Sequence, residues 1–240
     1  MPDALADVDV VVYLVHSIAT HTDYAQIEHE SAVALRAAAA AAGCRHVVYL
    51  GGVEPEGPPS HHLRSRLNTG ETLRGGDVPT TELRAGMIVG HGSESWQICR
   101  DLARLPAMVL PQWLKTRSQP VAIDDVVAAV AFAVGQPTDT SRICDLPGPE
   151  VMSAREILER IAGAKGCHPL MVEVPFLTPR LSSYWLRFTT RADYGIAREL
   201  IAGLTSDLIA RHPVLWEQME QFELTPFEQA MARAEREALT

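Results

Sequence analysis

The stretch Ala6 to Ser17, ADVDVVVYLVHS, constrains this chain most. Val8, Val10, Val11, Val12, Leu14 and Val15 form a near-continuous β-branched and apolar run, the mark of a strand covered on both faces in a parallel α/β sheet. In such sheets ligands sit outside the carboxyl ends of the strands. His16 and Ser17, the first polar residues after the run, therefore stand where a cofactor or substrate is expected. No glycine-rich phosphate loop comes before the run, so the sequence reads as if it began in the middle of its fold.

Strand and helix signals alternate from there. Tyr24 to Ala42 is rich in alanine and reads as a helix, with Gly43 where a left-handed cap falls. Arg45 to Leu50 reads as a second strand ending in Gly51-Gly52, and strand, helix, strand in this order implies a right-handed parallel crossover. Ser60 is expected to cap a helix running to about Arg74; Thr80 to Val89 gives a third strand, and a helix covers about Glu94 to Arg104. Leu105 to Gln119, holding Pro106, Pro111 and Trp113, reads as a loop over the sheet edge or pocket. Asp124 is expected to cap a helix from Asp125 to Val134, and Arg142 to Leu146 to form a strand. The capping box Ser153-Ala154-Arg155-Glu156 predicts a helix over Ala154 to Lys165. Beyond Pro175 the pattern is less regular, with helix-like segments near Asp193 to Ala202 and Pro226 to Glu237.

With 240 residues, 47% of them hydrophobic, the chain can bury a full core as one large domain or a domain with a smaller appendage. A formal net charge of -9 argues against nucleic-acid partners, which demand clustered Lys and Arg. Cys44, Cys99, Cys144 and Cys167 are scattered without a C-x-x-C pair, which fits free thiols in a reducing cytoplasm. The longest early apolar run is far shorter than the ~20 residues of a membrane span, and no signal peptide is evident.

Three strand ends converge in this topology: His16-Ser17, Gly51-Gly52 and Arg84-Ala85-Gly86. Glycine there permits close approach of a ligand to the backbone, although paired glycines serve equally as a tight turn. On the following helix His62 and Arg66 are spaced i, i+4 and share a face. A histidine titrating at about 6.5 can donate a proton near neutral pH, and an arginine can fork onto phosphate or ribose oxygens; a solvated helix face is the bland alternative. Gly90-His91-Gly92-Ser93-Glu94-Ser95 falls one glycine short of a dinucleotide loop and reads better as a strand-to-helix turn capped by Ser93. The histidines include no H-E-x-x-H pair, so no metal site is expected.

Taken in order, VDVVVYLVHS, HVVYLGGVEPEG, SHHLRSRLNTGETLR, LRAGMIVGHGSES, QPVAIDDVVAAV and ICDLPGPEVMSAREIL resemble an atypical short-chain dehydrogenase/reductase of the extended, NmrA-like kind. The resemblance implies an α/β fold with a doubly wound parallel sheet. It would be an incomplete, NAD(P)-binding Rossmann-like domain over residues 1–148, with a smaller, mostly helical substrate-side portion over 149–240. It implies further that His16, Ser17, Gly51, Gly52, Arg84, Ala85 and Gly86 border the nicotinamide half of NAD(P).

Catalytic members of that family carry a Tyr-x-x-x-Lys pair on the helix after the strand and a serine at the strand end. This sequence has His62, Arg66 and Gly51-Gly52 there. Arginine is not deprotonated at physiological pH, so Arg66 can orient a ligand but cannot relay protons. The expectation is an NAD(P)-binding oxidoreductase-like protein acting on a small molecule. A nonenzymatic NAD(P)-sensing or assembly protein, or a truncated product with impaired cofactor binding, is the alternative. Without a glycine loop the dinucleotide should be held weakly, and the first strand should lie at a sheet edge open to pairing with another copy.

Overall fold

The computed structural model describes residues 2–16, 24–111, 115–174 and 206–238. Its centre is a sheet of four parallel strands, β1 (Val10–Tyr13), β2 (His46–Gly52), β3 (Thr80–Ala85) and β8 (Arg142–Leu146), in spatial order β1-β2-β3-β8. Helix α1 (Tyr24–Ala42) connects β1 to β2, and α2 (His61–Arg74) connects β2 to β3. Tyr49 and Val47 of β2 join Ala32, Leu35 and Ala39 of α1 and Leu73 of α2 in one core. Val48, between them in sequence, faces the opposite core with Val126, Ala129 and Ala133 of α4 (Ile123–Gly135) and Cys144 of β8. This alternation is the period of two that a strand imposes, so β2 is covered on both faces and the sheet is doubly wound.

The α/β reading of the sequence holds, with local differences that have physical causes. β1 is not the doubly covered strand its composition predicts. It pairs with β2 on one side and lies at the edge of the sheet among the described residues. Tyr13 is buried, but Val12 is 39% exposed, and Leu14 and Val15 just beyond the strand are 56% and 46% exposed. The expected third strand divides after Ala85. β4 (Ile88–Val89) leaves the main sheet to pair in parallel with β7 (Val121–Ala122). Within the expected loop, β5 (Ala107–Pro111) pairs in parallel with β10 (Leu170–Val174), a partner more than sixty residues away in sequence. β6 (Arg117–Ser118) pairs antiparallel with β9 (Met152–Ser153). Trp113 and the segment near Asp193 to Ala202 lie outside the described residues.

Asp124 does not cap α4. The N-cap position is Ala122, with no side-chain cap bond, and both aspartates fall in the first turn, where carboxylates favour the helix dipole. They hold the C-terminal helix Phe227–Glu237: Asp125 accepts from the Thr225 amide (2.9 Å) and hydroxyl (2.8 Å), and Asp124 from Arg233 (2.6 Å). By contrast Ser60 and Ser153 cap as the sequence predicts, the latter in a full capping box that starts α5 (Ala154–Ala164). Ile157 and Ile161 of α5 pack with Trp96 of α3 (Glu94–Leu102), Ala122, Phe227 and Met231, so residues on both sides of Gly148 share one core.

Candidate functional site

A cavity of about 420 Å³ opens beyond the carboxyl ends of the sheet, the crevice in which ligands of open α/β sheets bind and a size usual for small-molecule sites. His16 enters from the segment after β1, Gly51 and Gly52 from the end of β2, Ala85 and Gly86 from the end of β3, and His62 and Arg66 from α2. The topology thus brings together most of the residues singled out in the sequence. Arg84 does not join them. As a β3 residue it points with Glu82, and its guanidinium pairs with Glu82 (2.8 Å) and Glu54 (3.3 Å). Ser17 lies outside the described residues.

His62 occupies the second position of α2, and its ring stands against that of His16, with centroids 4.9 Å apart. Burial pushes its pKa down to about 3, with His16, Arg66 and His61 acting in the same direction. The positive end of the α2 dipole adds to that. At neutral pH His62 is therefore a neutral imidazole, and the titrating proton donor expected from an unperturbed histidine is not what the fold makes. A neutral imidazole can still hydrogen-bond a ligand oxygen through one ring nitrogen. Among the described residues Nδ1 of His62 is buried without a hydrogen-bond partner.

Arg66 is also used differently from its sequence reading. Nη1 donates to the Val15 carbonyl at 3.0 Å and Nη2 to the Leu50 carbonyl. The guanidinium lies over the Tyr49 ring, 5.0 Å from its centroid, and the Tyr49 hydroxyl donates to the Arg66 carbonyl at 3.0 Å. With 7% exposure, Arg66 stitches the ends of β1 and β2 together and so positions the His16 rim. Its fork is spent on backbone carbonyls, where the sequence suggested phosphate or ribose. Deeper in the same helix, Ser65 donates to the buried Glu28 at 2.5 Å and ties α2 to α1.

Of the far wall the sequence offered only the Leu105 to Gln119 segment, as a loop over the sheet edge or pocket, without singling out its residues. Thr116, Ser118 and Leu208 border the cavity because Ser118 bridges to Leu208 across some ninety residues. Ile98 and Cys99 of α3 and Ile157 of α5 close the same side. Burial pushes the Cys99 thiol up to about 12, so at neutral pH it is a protonated, apolar wall and not a nucleophile. Among the described residues no cluster of three His, Cys, Asp or Glu is placed to hold a metal ion. No described helix is long and apolar enough to cross a membrane.

No protein-family model matches the chain, and no curated protein matches its sequence. Its fold does match solved structures. A triphenylmethane reductase of Citrobacter sp. superposes with a TM-score of 0.74 at 16% identity, over 98% of this chain and 79% of that one. A nucleoside-diphosphate-sugar epimerase of Staphylococcus aureus gives 0.72 at 15% identity, over 96% and 78%. A dTDP-glucose 4,6-dehydratase of Streptomyces venezuelae, solved with NAD bound, gives 0.69 at 15% identity, over 98% and 74%. The chain therefore has the Rossmann-type fold of these proteins, in agreement with the resemblance read from its sequence.

Proposed function

We propose that the chain binds NAD(P) through the nicotinamide half and acts as an oxidoreductase-like protein on a small molecule. The observation that carries this reading is the cavity at the ends of β2 and β3 in a sheet of this fold, with the His62 imidazole at its lining. The Citrobacter reductase was solved with NADP(H) and the Streptomyces dehydratase with NAD. The residues present fit the nicotinamide end: among the described residues beyond its chain neighbours, a Cβ on Gly86 would meet no atom within 4 Å, so the backbone can be approached closely there. His16, Gly51, Gly52 and Ala85 would flank it. When bound, the dinucleotide supplies or accepts hydride.

The chain's own residues then have separable roles. Arg66 is a positioning residue, because its guanidinium holds the backbone of the rim. His62 offers a neutral hydrogen bond to the reacting oxygen and does not deliver a proton from an imidazolium. The absence of a Cβ on Gly52 leaves room for Leu63, whose Cδ1 stands 2.6 Å from the Cβ position; that glycine therefore serves the packing of α2 on β2. The four cysteines are unpaired, in keeping with the cytoplasm as the proposed compartment.

The test is saturation-transfer NMR with NADPH and NADH. Stronger saturation of the nicotinamide protons than of the adenine protons is expected, and no transfer at millimolar dinucleotide sinks the reading. A second reading, a nonenzymatic NAD(P)-sensing protein, is favoured by one observation: the Arg66 side chain is engaged by two carbonyls and His62 is held neutral, so no tyrosine–lysine type of proton relay exists at this place. Dinucleotide binding without oxidation of NADPH by any aldehyde or ketone would select it.

A further inference from the structure

We propose that the cavity selects an uncharged, largely apolar substrate bearing a hydrogen-bonding oxygen, and discriminates against anionic substrates such as nucleoside-diphosphate sugars. This deepens the reading above and rests on the same cavity being the substrate site. Its walls are supplied by Leu14, Val53, Leu63, Met87, Ile98 and Ile157, from the segment after β1, the loop after β2, α2, the turn after β3, α3 and α5. Apolar residues make up most of the lining, beside Ser60, Ser95, Thr116 and Ser118, and reward an apolar body by removing it from water.

The charged groups at the cavity are already committed. Arg66 donates to the Val15 and Leu50 carbonyls and lies over Tyr49. Arg117 donates through Nε to Asp207 at 2.7 Å, and its Nη2 stands 2.7 Å from the same carboxylate. An anion would find Arg66 buried and engaged by two carbonyls and the charge of Arg117 already balanced by Asp207, and it would shed its own hydration to enter. His62, held neutral by burial, has no net charge to attract an anion, yet it can bond one oxygen of a neutral carbonyl or hydroxyl.

The experiment uses a set of probes matched in shape. Calorimetry on the wild-type chain compares 2-acetylnaphthalene, which is neutral, with 2-naphthoate and 2-naphthylmethylammonium, with and without NADPH, and asks whether millimolar UDP-glucose competes. The neutral ketone should bind about tenfold or more tighter than either ion, and UDP-glucose should not displace it. Equal or tighter binding of 2-naphthoate, displacement by UDP-glucose, or no binding of the ketone would overturn the proposal. Leu14→Lys places an ammonium at the cavity mouth on a residue 56% exposed, where the fold tolerates it. The preference should shift there toward 2-naphthoate, and an unchanged preference would show that the probe binds elsewhere and overturn the assignment. The selectivity is read in binding alone. If NADPH fails to bind while the ketone preference persists, the cofactor reading falls and the substrate class stands.

Discussion

The imidazoles of His16 and His62 lie 4.9 Å apart at an interplanar angle of 59°, joining the segment after β1 to the first turn of α2 across the mouth of the cavity. The pKa of His16 is lowered by burial and by Arg66, and that of His62 to about 3. Burial and the Arg66 guanidinium both favour the neutral form of the two imidazoles.

The pH dependence of stability follows from His62. Its ordinary value is 6.5 and its folded value about 3, so between these pH values the unfolded chain binds a proton that the folded chain does not. The contribution is present in full above pH 6.5 and is lost as pH falls toward 3, at up to about 1.4 kcal/mol per pH unit. Urea unfolding of wild type and His62→Gln across this window should show a shallower decline in the variant. Parallel declines would contradict the assignment.

Arg66→Lys should destabilise the chain by about 1–2 kcal/mol. An ammonium cannot reproduce the planar fork that serves Val15 and Leu50 together or its contact with Tyr49. The same substitution should loosen the segment carrying His16, seen as faster amide exchange at the β1 end. Wild-type stability and exchange rates would show that the fork is dispensable.

Glu82 is fully buried and receives Arg74 at 2.6 Å and Arg84 at 2.8 Å. Glu82→Gln removes the charge between two guanidiniums, one of them only 5% exposed, and should cost about 3 kcal/mol. A loss below about 1 kcal/mol in denaturant titration would mean that Glu54 and Asp145 suffice to compensate Arg84.

Among the described glycines, Gly148→Ala should be the most damaging substitution by alanine. The Cβ would stand 1.6 Å from the Pro120 carbonyl oxygen and 2.6 Å from its carbon. Both are backbone atoms of the chain that leads into β7, so relief requires moving a strand. A loss of about 3 kcal/mol is expected, lowering Tm by roughly 10 °C. An unchanged melting curve would refute the close approach.

Much of this architecture could be read before any coordinates, because the signals are local. The alanine run of α1 ending at Gly43, the Ser60 cap and the Ser153–Glu156 box are chemistry between residues close together in the chain, and the order of strands and helices limits the topologies. The i, i+4 spacing of His62 and Arg66 likewise placed both at one crevice, since a helix puts such residues on one face.

What the sequence by itself determined is therefore the parallel α/β sheet and the crevice at its carboxyl ends, which follow from periodicity, caps and chain order. Only the tertiary structure decided what those residues do there. Whether Arg66 meets a phosphate or two carbonyls, whether His62 titrates near 6.5 or about 3, and whether Arg84 faces the cavity or Glu82 depend on neighbours distant in sequence. The edge position of β1, the β5–β10 pair and the bridge from Ser118 to Leu208 share that origin: strand pairing and burial are set by contacts across the fold, and a residue's own neighbours in the chain do not encode them.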